Sequence, residues 1–296
     1  MSFKAGEVVV LINSDASQAS KKKKSIEKLC KNNSLTAHFI DGRDIDAAVR
    51  KALKSKRIKR LIIGGGDGSV RTAASLVNRM RPDVIIGIVP VGTANYYARS
   101  LGSTHSLTKS FTIAMSDNIE RRHLSRANGR DFLLGVNLGY TSHMFAEITD
   151  AEKKRYGRLA YVRGLFRVFR RLSPPMVQII INGHERTYAT TELVVLNQYL
   201  KGSFPLLPRV KGSDPYFEII TYGLDDSKLS PLIAAATFIV TLGKSQRYLK
   251  RIPATQAKIT STSPQPVAID GDSLEQTPLD VEIIKKPVIF ARSTVK

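Results

Sequence analysis

Cysteine is nearly absent from this chain. Cys30 is the only one, so no internal disulfide can form. A single thiol is typical of proteins from a reducing compartment. Cys30 falls with Ile26 and Leu29 on one face of a predicted helix, which indicates core packing rather than a nucleophile.

Long apolar runs are also missing. The longest, Pro231 to Leu242, is shorter than the roughly 20 residues that a membrane-spanning helix needs. The first residues lack the apolar core of a signal peptide. We therefore expect a soluble, cytoplasmic protein.

Acidic residues are scarce beside basic ones, with 25 Asp and Glu against 46 Lys and Arg and a formal net charge of +21. Such an excess implies an anionic partner: a membrane surface, a phosphorylated ligand or nucleic acid.

Aromatic residues make up only 7%, and no zinc-finger, RRM-type or helix-turn-helix pattern is found, so no specific nucleic-acid binding is predicted. The five histidines show no metal-ligand spacing. The run Lys21 to Lys24 is interpreted as the solvated face of a helix, with a phosphate contact by one lysine as the alternative.

Two glycine-rich turns stand out, each between an apolar strand and a predicted helix. The first is Gly64-Gly65-Gly66-Asp67-Gly68-Ser69, before a helix over Val70 to Met80; the second is Gly92-Thr93-Ala94-Asn95, before a helix over Tyr96 to Leu101. Glycines let the backbone approach phosphate oxygens, and a helix N-terminus supplies free N–H groups. Neighbouring parallel strands end at the same sheet edge, where open α/β sheets bind ligands. The pattern favours a phosphate site over two plain tight turns.

Strand and helix alternate in the first part of the chain, over Glu7 to Ile12, Ser20 to Lys31, Leu35 to Ile40 and Ile45 to Leu53, which predicts a parallel sheet. After residue 120 most of the predicted elements are strands. Asn128-Gly129 and Asn182-Gly183 are hairpin signals, and helices are predicted only near residues 142–171 and 231–246. Among the predicted strands are four long ones: Glu120 to Arg126, Asp131 to Leu138, Ala257 to Ile269 and Leu279 to Phe290.

We predict an α/β domain over residues 1–120 and a second, β-rich domain that begins at residue 121. With 42% hydrophobic content, a chain of 296 residues is long enough for two cores.

These motifs resemble the catalytic domain of the diacylglycerol kinase family, especially the soluble bacterial lipid kinases related to sphingosine and ceramide kinases. The resemblance covers nearly the whole chain and is carried by Gly65 to Ser69, Gly92 to Asn95, Lys153 to Tyr161, Val194 to Asn197 and Asp270-Gly271-Asp272. It implies an N-terminal α/β domain with a Rossmann-like parallel sheet, as in NAD kinases and diacylglycerol kinases. It also implies a C-terminal β-sandwich domain, with the catalytic cleft between the two. By this resemblance, residues 1–120 would bind nucleotide, residues 121–280 would take the lipid substrate, and residues 281–296 would form C-terminal strands that return to the first domain.

The resemblance further implies ATP and Mg²⁺ as cofactors, and transfer of the γ-phosphoryl group to the hydroxyl of diacylglycerol or a related membrane lipid alcohol. Asp67 would order its loop or act through Mg²⁺, and Asp272 holds the position of the family's catalytic Glu, so it is the candidate base. The residues that would bind the nucleotide are Gly65, Gly66, Asp67, Gly68, Ser69, Thr93, Asn95 and Asn13. A structural Mg²⁺ is implied at Asp214, with the backbone carbonyls of Lys211 and Tyr216.

The sequence departs from the family pattern at several of these positions. Arg71-Thr72 replaces Asn-Glu, Tyr96 replaces an acidic residue, Pro215 replaces a glycine and Asp272 replaces Glu. Two alternatives therefore stay open: a kinase of a soluble substrate, as in NAD kinases, and a catalytically weak, lipid-binding regulatory homologue. The charge and the basic amphipathic segment Lys153 to Arg171 favour peripheral association with the inner membrane face. The oligomeric state stays open, a homodimer included.

Overall fold

The computed structural model describes residues 7–104, 106–139, 147–149, 176–181, 184–189, 192–198, 213–222 and 249–294, with the single positions or pairs 142, 143, 152, 155, 156, 163, 164, 167 and 168. They fall into two compact units. The first holds the described residues up to Leu124 and from Ile284 onward, and the second holds those from Ser125 to Ile283.

Five α-helices and eighteen strands occur in the described residues. The helices are α1 (Ala19–Asn32), α2 (Ile45–Leu53), α3 (Asp67–Met80), α4 (Tyr96–Ser100) and α5 (Leu107–Met115), with a short 3-10 helix over Gly42–Asp44. The strands are β1 (Val8–Asn13), β2 (Ala37–Ile40), β3 (Arg60–Gly65), β4 (Ile85–Pro90), β5 (Ile119–Arg122), β6 (Ser125–Ala127), β7 (Arg130–Phe132), β8 (Gly135–Gly139), β9 (Met176–Ile181), β10 (His184–Ala189), β11 (Glu192–Leu196), β12 (Phe217–Tyr222), β13 (Leu249–Ala254), β14 (Gln256–Ser261), β15 (Pro266–Ile269), β16 (Asp272–Gln276), β17 (Leu279–Ile283) and β18 (Val288–Ala291).

The first unit is built on a six-stranded sheet in the order β2-β1-β3-β4-β18-β5. All its pairs are parallel except β18 with β5. The apolar runs of β1, β3 and β4 are buried on both faces, as helix-covered parallel strands require. Because β1 to β4 run in one direction, the segments that follow them meet at one edge of the sheet.

Three pairs of helices are in contact in the described part of the first unit: α1 with α5, α2 with α3, and α3 with α4. Ile26, Cys30 and Phe111 share one core with Val10 and Ile62 of the sheet. The helices α2 and α3 contact β1 and β3, respectively. Packing on both faces therefore holds the carboxyl ends of these strands in place.

The second unit consists of two six-stranded antiparallel sheets, in the orders β10-β9-β14-β17-β6-β7 and β13-β12-β11-β8-β15-β16. Side chains from both sheets make one buried core: Ile179, Ile259 and Val281 of the first sheet lie in the same cluster as Val195 and Ile219 of the second. This is a β-sandwich. The predicted fold class, an α/β domain with a Rossmann-like sheet plus a β-rich sandwich domain, is confirmed.

Four predicted strands were too long, and each is divided between two sheets. The prediction Glu120 to Arg126 covers β5 in the parallel sheet and β6 in the sandwich, and Asp131 to Leu138 covers β7 and β8 in opposite sheets of the sandwich. The prediction Ala257 to Ile269 covers the two strands β14 and β15, and the prediction Leu279 to Phe290 covers β17 and β18. The two strands of each prediction again belong to different sheets. Apolar alternation indicates strand conformation but not the partner strand, so it cannot reveal where the chain changes sheets.

Several other predictions lie wholly or mainly outside the described residues. These are the helices near residues 142–171 and 231–246, the family segment Lys153 to Tyr161 and the turn at Asn182-Gly183. The flanks of that turn are described: β9 and β10 pair antiparallel, with His184 opposite Ile181.

Candidate functional site

A cleft of about 560 Å³ lies at the carboxyl edge of the parallel sheet. Each of the four segments that follow β1, β2, β3 and β4 contributes to its wall. Its lining residues are Asn13, Ala16, Ser17, Gly42, Arg43, Ile45, Asp46, Gly66, Gly68, Ser69, Arg71, Thr72, Gly92 and Thr93. The strand order changes direction between β1 and β3, which is where open α/β sheets bind ligands.

The first glycine turn is shorter than the sequence indicates. β3 continues to Gly65 and α3 begins at Asp67, so only Gly66 separates strand from helix, whereas we predicted the helix from Val70. A β-carbon on Gly65 would lie 2.5 Å from Oγ of Ser69, so this position has no room for a side chain. The turn therefore brings the first N–H groups of α3 directly to the end of the strand.

The second turn is held closed by its own asparagine. Asn95 has a left-handed backbone with φ 51°, its Oδ1 accepts from the N–H of Gly92 at 3.0 Å, and its Nδ2 donates to the carbonyl of Gly92 at 2.7 Å. A β-carbon on Gly92 would lie only 2.4 Å from Cα of Gly66. The two glycine turns therefore touch, and the contact requires a glycine at position 92, whereas a β-carbon on Gly66 would lie 3.5 Å from Cα of Gly92, an ordinary contact distance.

Asp67 links the two turns. Its Oδ2 accepts from the N–H of Tyr96 at 3.1 Å and its Oδ1 from the N–H of Tyr97 at 2.8 Å, the first residues of α4. Burial raises the pKa of Asp67 above its ordinary value, and the hydrogen bonds from backbone N–H groups partly oppose this. Of the two roles that the sequence suggested, loop ordering has direct support in these contacts.

The segments after β1 and β2 are tied to the same edge. Nδ2 of Asn13 donates to Oγ of Ser69 at 2.9 Å, which joins β1 to the first turn of α3. Thr93 donates through Oγ1 to Oγ of Ser17 at 3.1 Å, and the N–H of Gly42 donates to Asp15 at 3.0 Å. All seven of the nucleotide-binding residues predicted besides Asp67 thus lie in this network or its turns.

The sequence analysis missed two cationic residues of the cleft. Arg71 follows the first turn along α3 and is half-buried, and Arg43 follows β2 with its side chain 89% exposed and its Nε 3.2 Å from Asp41. Arg71 was noted only as a departure from the family pattern. Its spacing of four residues from Asp67, one helical turn, was the available signal. Arg43 had none, because its approach depends on how β2 pairs with β1.

In the second unit, Asp270 and Asp272 occupy the ends of a tight turn between β15 and β16. Asp270 and Gly271 both have positive φ, 51° and 87°, as in hairpin turns of the I′ type. The carboxylate of Asp270 accepts from three consecutive backbone N–H groups, those of Leu133, Leu134 and Gly135, at 3.0, 2.8 and 3.2 Å. These residues lie where the chain passes from β7 to β8. Asp270 is therefore a structural carboxylate that holds the crossing between sheets.

A second motif residue, Asn197, acts on the same crossing. Its Nδ2 donates to the carbonyl of Leu133 at 3.2 Å, its backbone N–H donates to Leu134 at 3.0 Å, and its Oδ1 accepts from Oγ of Ser125 at 2.8 Å. The asparagine that ends the strand motif and the first aspartate of the Asp-Gly-Asp motif thus support one backbone segment.

Asp272 forms an ion pair with Arg130, whose Nη2 lies 3.1 Å from its Oδ2. The Asp272 side chain is 52% exposed and that of Arg130 26% exposed. Arg130 belongs to β7 and Asp272 to β16, the edge strands of the two sandwich sheets. The candidate base is therefore accessible and held in place by a cation.

The implied structural Mg²⁺ site is only partly within the described residues. Asp214 and Tyr216 are described, and Lys211 is not. The negative charge of Asp214 raises the pKa of the Tyr216 hydroxyl, with which it is hydrogen-bonded. Across the described part of the chain, no group of three or more His, Cys, Asp or Glu side chains is placed to hold a metal. Among the described residues, the single carboxylate of Asp214 supplies too few ligands for an all-protein Mg²⁺ cage.

Among the described residues, no helix is both long enough and apolar enough to cross a membrane.

Comparison with known proteins agrees with this geometry. Residues 7–127 match the family model of the diacylglycerol kinase catalytic domain. Two Staphylococcus aureus proteins, from strains MSSA476 and JH9, are provisionally named lipid kinases; each is 23% identical over 271 residues, which cover 89% of this chain and 88% of the relative.

Solved structures from Bacillus anthracis strain Sterne share the fold. One, provisionally named a diacylglycerol kinase, superposes with a TM-score of 0.79 at 20% sequence identity. The superposition covers 98% of this chain and 96% of the other protein's chain. A second, described as a diacylglycerol kinase, has a TM-score of 0.73 at 18% identity and covers 98% of this chain and 97% of its own. Residues 7–127 are therefore similar to the diacylglycerol kinase catalytic domain, and the resemblance predicted from the motifs is confirmed over these residues.

Proposed function

We propose that this protein is an ATP-dependent lipid kinase that transfers the γ-phosphoryl group to the hydroxyl of diacylglycerol or a related membrane lipid alcohol. The observation that carries the proposal is the contact between Gly66 and Gly92 at the carboxyl edge of the parallel sheet. It leaves a cleft whose wall combines backbone and small polar side chains with the cationic side chains of Arg43 and Arg71, a surface that suits a phosphate chain.

The nucleotide phosphates would lie against the first turn of α3. The N–H groups at the start of a helix have no partner within it, and the helix dipole favours negative charge there. Gly68 and Ser69 lie in this turn, and Arg71 follows one turn later on the cleft wall. A guanidinium matches phosphate geometry with two parallel N–H donors, so Arg71 would add charge and orientation.

The acceptor hydroxyl would lose its proton to a carboxylate oxygen of Asp272. Phosphoryl transfer depends mainly on positioning and charge neutralisation, so the base must be held and yet be accessible. The ion pair with Arg130 and the tight turn at Gly271 supply both conditions. Mg²⁺ bound with ATP would neutralise charge on the transferred group.

The finer assignments belong to the same proposal. Residues 1–120 would bind nucleotide and residues 121–280 would take the lipid, with residues 281–296 returning to the first domain. The net charge of +21 supports peripheral association with the inner membrane face. The roles of Asp67 and Asp272 in catalysis and of Asp214 in metal binding stay predictions.

The test is transfer of labelled γ-phosphate from ATP with Mg²⁺ into a panel of acceptors. The panel holds diacylglycerol, monoacylglycerol, ceramide, sphingosine and phosphatidylglycerol, with NAD and sugar phosphates as soluble acceptors. We expect a labelled lipid whose formation is lost in Asp67→Ala and Asp272→Asn. Asp83→Ala and Asp280→Asn, which alter exposed carboxylates of the same two units, serve as matched controls.

Each alternative has its own outcome in this assay. Label only in a soluble acceptor would support a kinase of a soluble substrate and overturn the lipid assignment. A second candidate, a catalytically weak lipid-binding homologue, is favoured by the short side chain of Asp272 and its pairing with Arg130. ATP binding without any labelled product would support it.

A further inference from the structure

The helix α1 carries its lysines in a regular pattern. Its buried residues are Ala19, Ile26 and Cys30, which face the sheet. At 100° per residue, Lys21, Lys24, Lys28 and Lys31 fall within an arc of about 80° on the opposite side of the helix. All four are exposed. We call these four residues the lysine row; it extends about 15 Å along the helix at a rise of about 1.5 Å per residue.

The lysine row has no counter-charge of its own. Glu27 is the one acidic residue of α1 and lies outside the arc. None of the ion pairs found among the described residues involves a member of the row. Lys23, by contrast, lies outside the arc, and its Nζ is 5.0 Å from the ring centroid of Phe39. The row is therefore a surface of concentrated positive charge.

The stability of the helix does not account for this arrangement. Like charges three and four residues apart repel each other on a helix surface. Lys21 also lies near the positive end of the helix dipole, where cations are disfavoured, and the first turn contains no acidic residue to offset it. Lys31 is an exception, because it lies in the last turn, where the dipole favours a cation, and four residues after Glu27. The other three lysines do not stabilise the helix in this way, so we expect their stabilisation to come from a partner.

We propose that the lysine row docks the protein on the anionic surface of a lipid bilayer. A straight row with one basic side chain per turn meets a flat array of lipid phosphates along its full length. Lysine is a strongly hydrated point charge without the fork that reads bases, and the arc holds no aromatic residue on which a base could stack. The inference rests on the proposed function, since a lipid acceptor lies in a bilayer.

The experiment measures vesicle binding without ATP. Vesicles are phosphatidylcholine alone or phosphatidylcholine mixed with phosphatidylglycerol, and bound protein is separated by sedimentation. The test variant is Lys21→Gln, Lys24→Gln, Lys28→Gln and Lys31→Gln together. The matched control is Lys51→Gln, Lys54→Gln, Lys56→Gln and Arg57→Gln, which removes the same charge from exposed positions of the same unit.

We expect the unaltered protein to bind the anionic vesicles in ~0.1 M salt and to be released in ~1 M salt, where charges are screened within about 3 Å. The test variant should reduce the partition coefficient on the order of 100-fold or more, since each lysine contributes its own attraction to the surface. The control variant should change it much less. An equal loss in both variants would mean that net charge alone governs binding, and it would overturn the proposal.

A second measurement needs no variant. Acetylation of lysine amines in the unaltered protein, with and without anionic vesicles, reports which side chains the membrane covers. Protection of the lysine row but not of Lys51, Lys54 and Lys56 supports the proposal, and uniform protection or none overturns it. Tighter binding of a double-stranded oligonucleotide than of vesicles, lost in the test variant, would assign the row to nucleic acid instead.

These outcomes are separate from those of the kinase assay. Vesicle binding through the row without any phosphoryl transfer would leave the docking surface in place while the proposed function fails. Phosphoryl transfer to dispersed lipid without vesicle binding through the row would support the proposed function and overturn the docking surface.

Discussion

Gly66 and Gly92 approach each other so closely that a β-carbon on Gly92 would lie 2.4 Å from Cα of Gly66. No real pair of such atoms tolerates that distance, so one of the two turns must move if Gly92 gains a side chain. The contact joins the ends of β3 and β4, and it shapes the wall of the cleft at the carboxyl edge of the sheet. Glycine-to-alanine substitutions, each of which adds one methyl group, can measure how strongly stability depends on this contact.

Gly92→Ala is expected to lower the free energy of unfolding by about 1–3 kcal/mol, the usual cost of forcing a methyl group into closely packed surroundings. Gly68→Ala is its matched partner, because a β-carbon at Gly68 meets nothing within 4 Å. Since Ala favours the helix over Gly by about 1 kcal/mol, this change should stabilise α3. Chemical denaturation of both variants tests the contrast; equal effects would contradict the reported contact.

Asp67→Ala is expected to lower stability by about 1–3 kcal/mol and to weaken ATP binding, because the N–H groups of Tyr96 and Tyr97 lose their acceptors. Calorimetric titration with ATP and denaturation with urea report the two effects. Normal ATP affinity with lowered stability would separate the loop from the nucleotide site.

The same residue gives a pH dependence with a defined sign. Burial raises the pKa of Asp67 above 3.8, so the folded state holds this proton more tightly than the unfolded state does. The stability linked to the proton is present below pH 3.8 and is lost as the pH rises through the folded pKa. The stability difference between the unaltered protein and Asp67→Ala should therefore shrink with rising pH. Asp83, whose pKa the Arg81 side chain lowers, should give the opposite trend in Asp83→Ala.

Arg71→Met is expected to raise the dissociation constant for ATP by about 10- to 100-fold, as the loss of a hydrogen bond to a charged phosphate implies. Arg79→Met removes the same charge near the far end of α3 and should change it less than about threefold. Binding of tripolyphosphate should follow that of ATP, because the contact is to phosphate. Equal effects of the two substitutions would remove Arg71 from the phosphate site.

Asp270 and Asp272 should give opposite results although only Gly271 separates them. Asp270→Ala leaves the N–H groups of Leu133, Leu134 and Gly135 without their acceptor and should cost about 2–4 kcal/mol of stability. Asp272→Ala breaks a half-exposed ion pair worth about 0–1 kcal/mol, so stability should hardly change while phosphoryl transfer is lost. Denaturation and turnover of both variants test this; a stable Asp270→Ala protein would contradict the structural role.

The pattern of residues within a short stretch of sequence predicted the helices, strands and turns that interactions within that stretch determine. The helix Ile45–Leu53 was predicted with its observed bounds, because the spacing of its apolar residues decides them. The glycine turns were recognised for the same reason, since their residue types are demanded by the backbone. Their place at one sheet edge followed from the parallel order.

What the sequence could not reveal depends on contacts between distant segments. Nothing near Arg122 indicates that β5 pairs with β18, about 170 positions later in the chain. The structural role of Asp270 was missed for the same reason, because its three N–H partners lie some 135 residues earlier. Arg43 reaches the cleft only through the pairing of β2 with β1.

The strand β18 lies between β4 and β5, so the parallel sheet is completed by residues near the C-terminal end of the described chain. During synthesis, the segment that carries the glycine turns leaves the ribosome long before its last interior strand exists. Until then, β4 has an unpaired edge and β5 lacks the only partner it has among the described strands. The first unit thus cannot complete its sheet in the order in which it is translated, and a fragment cut after Leu124 would keep every turn of the cleft while lacking the strand that closes the sheet behind them.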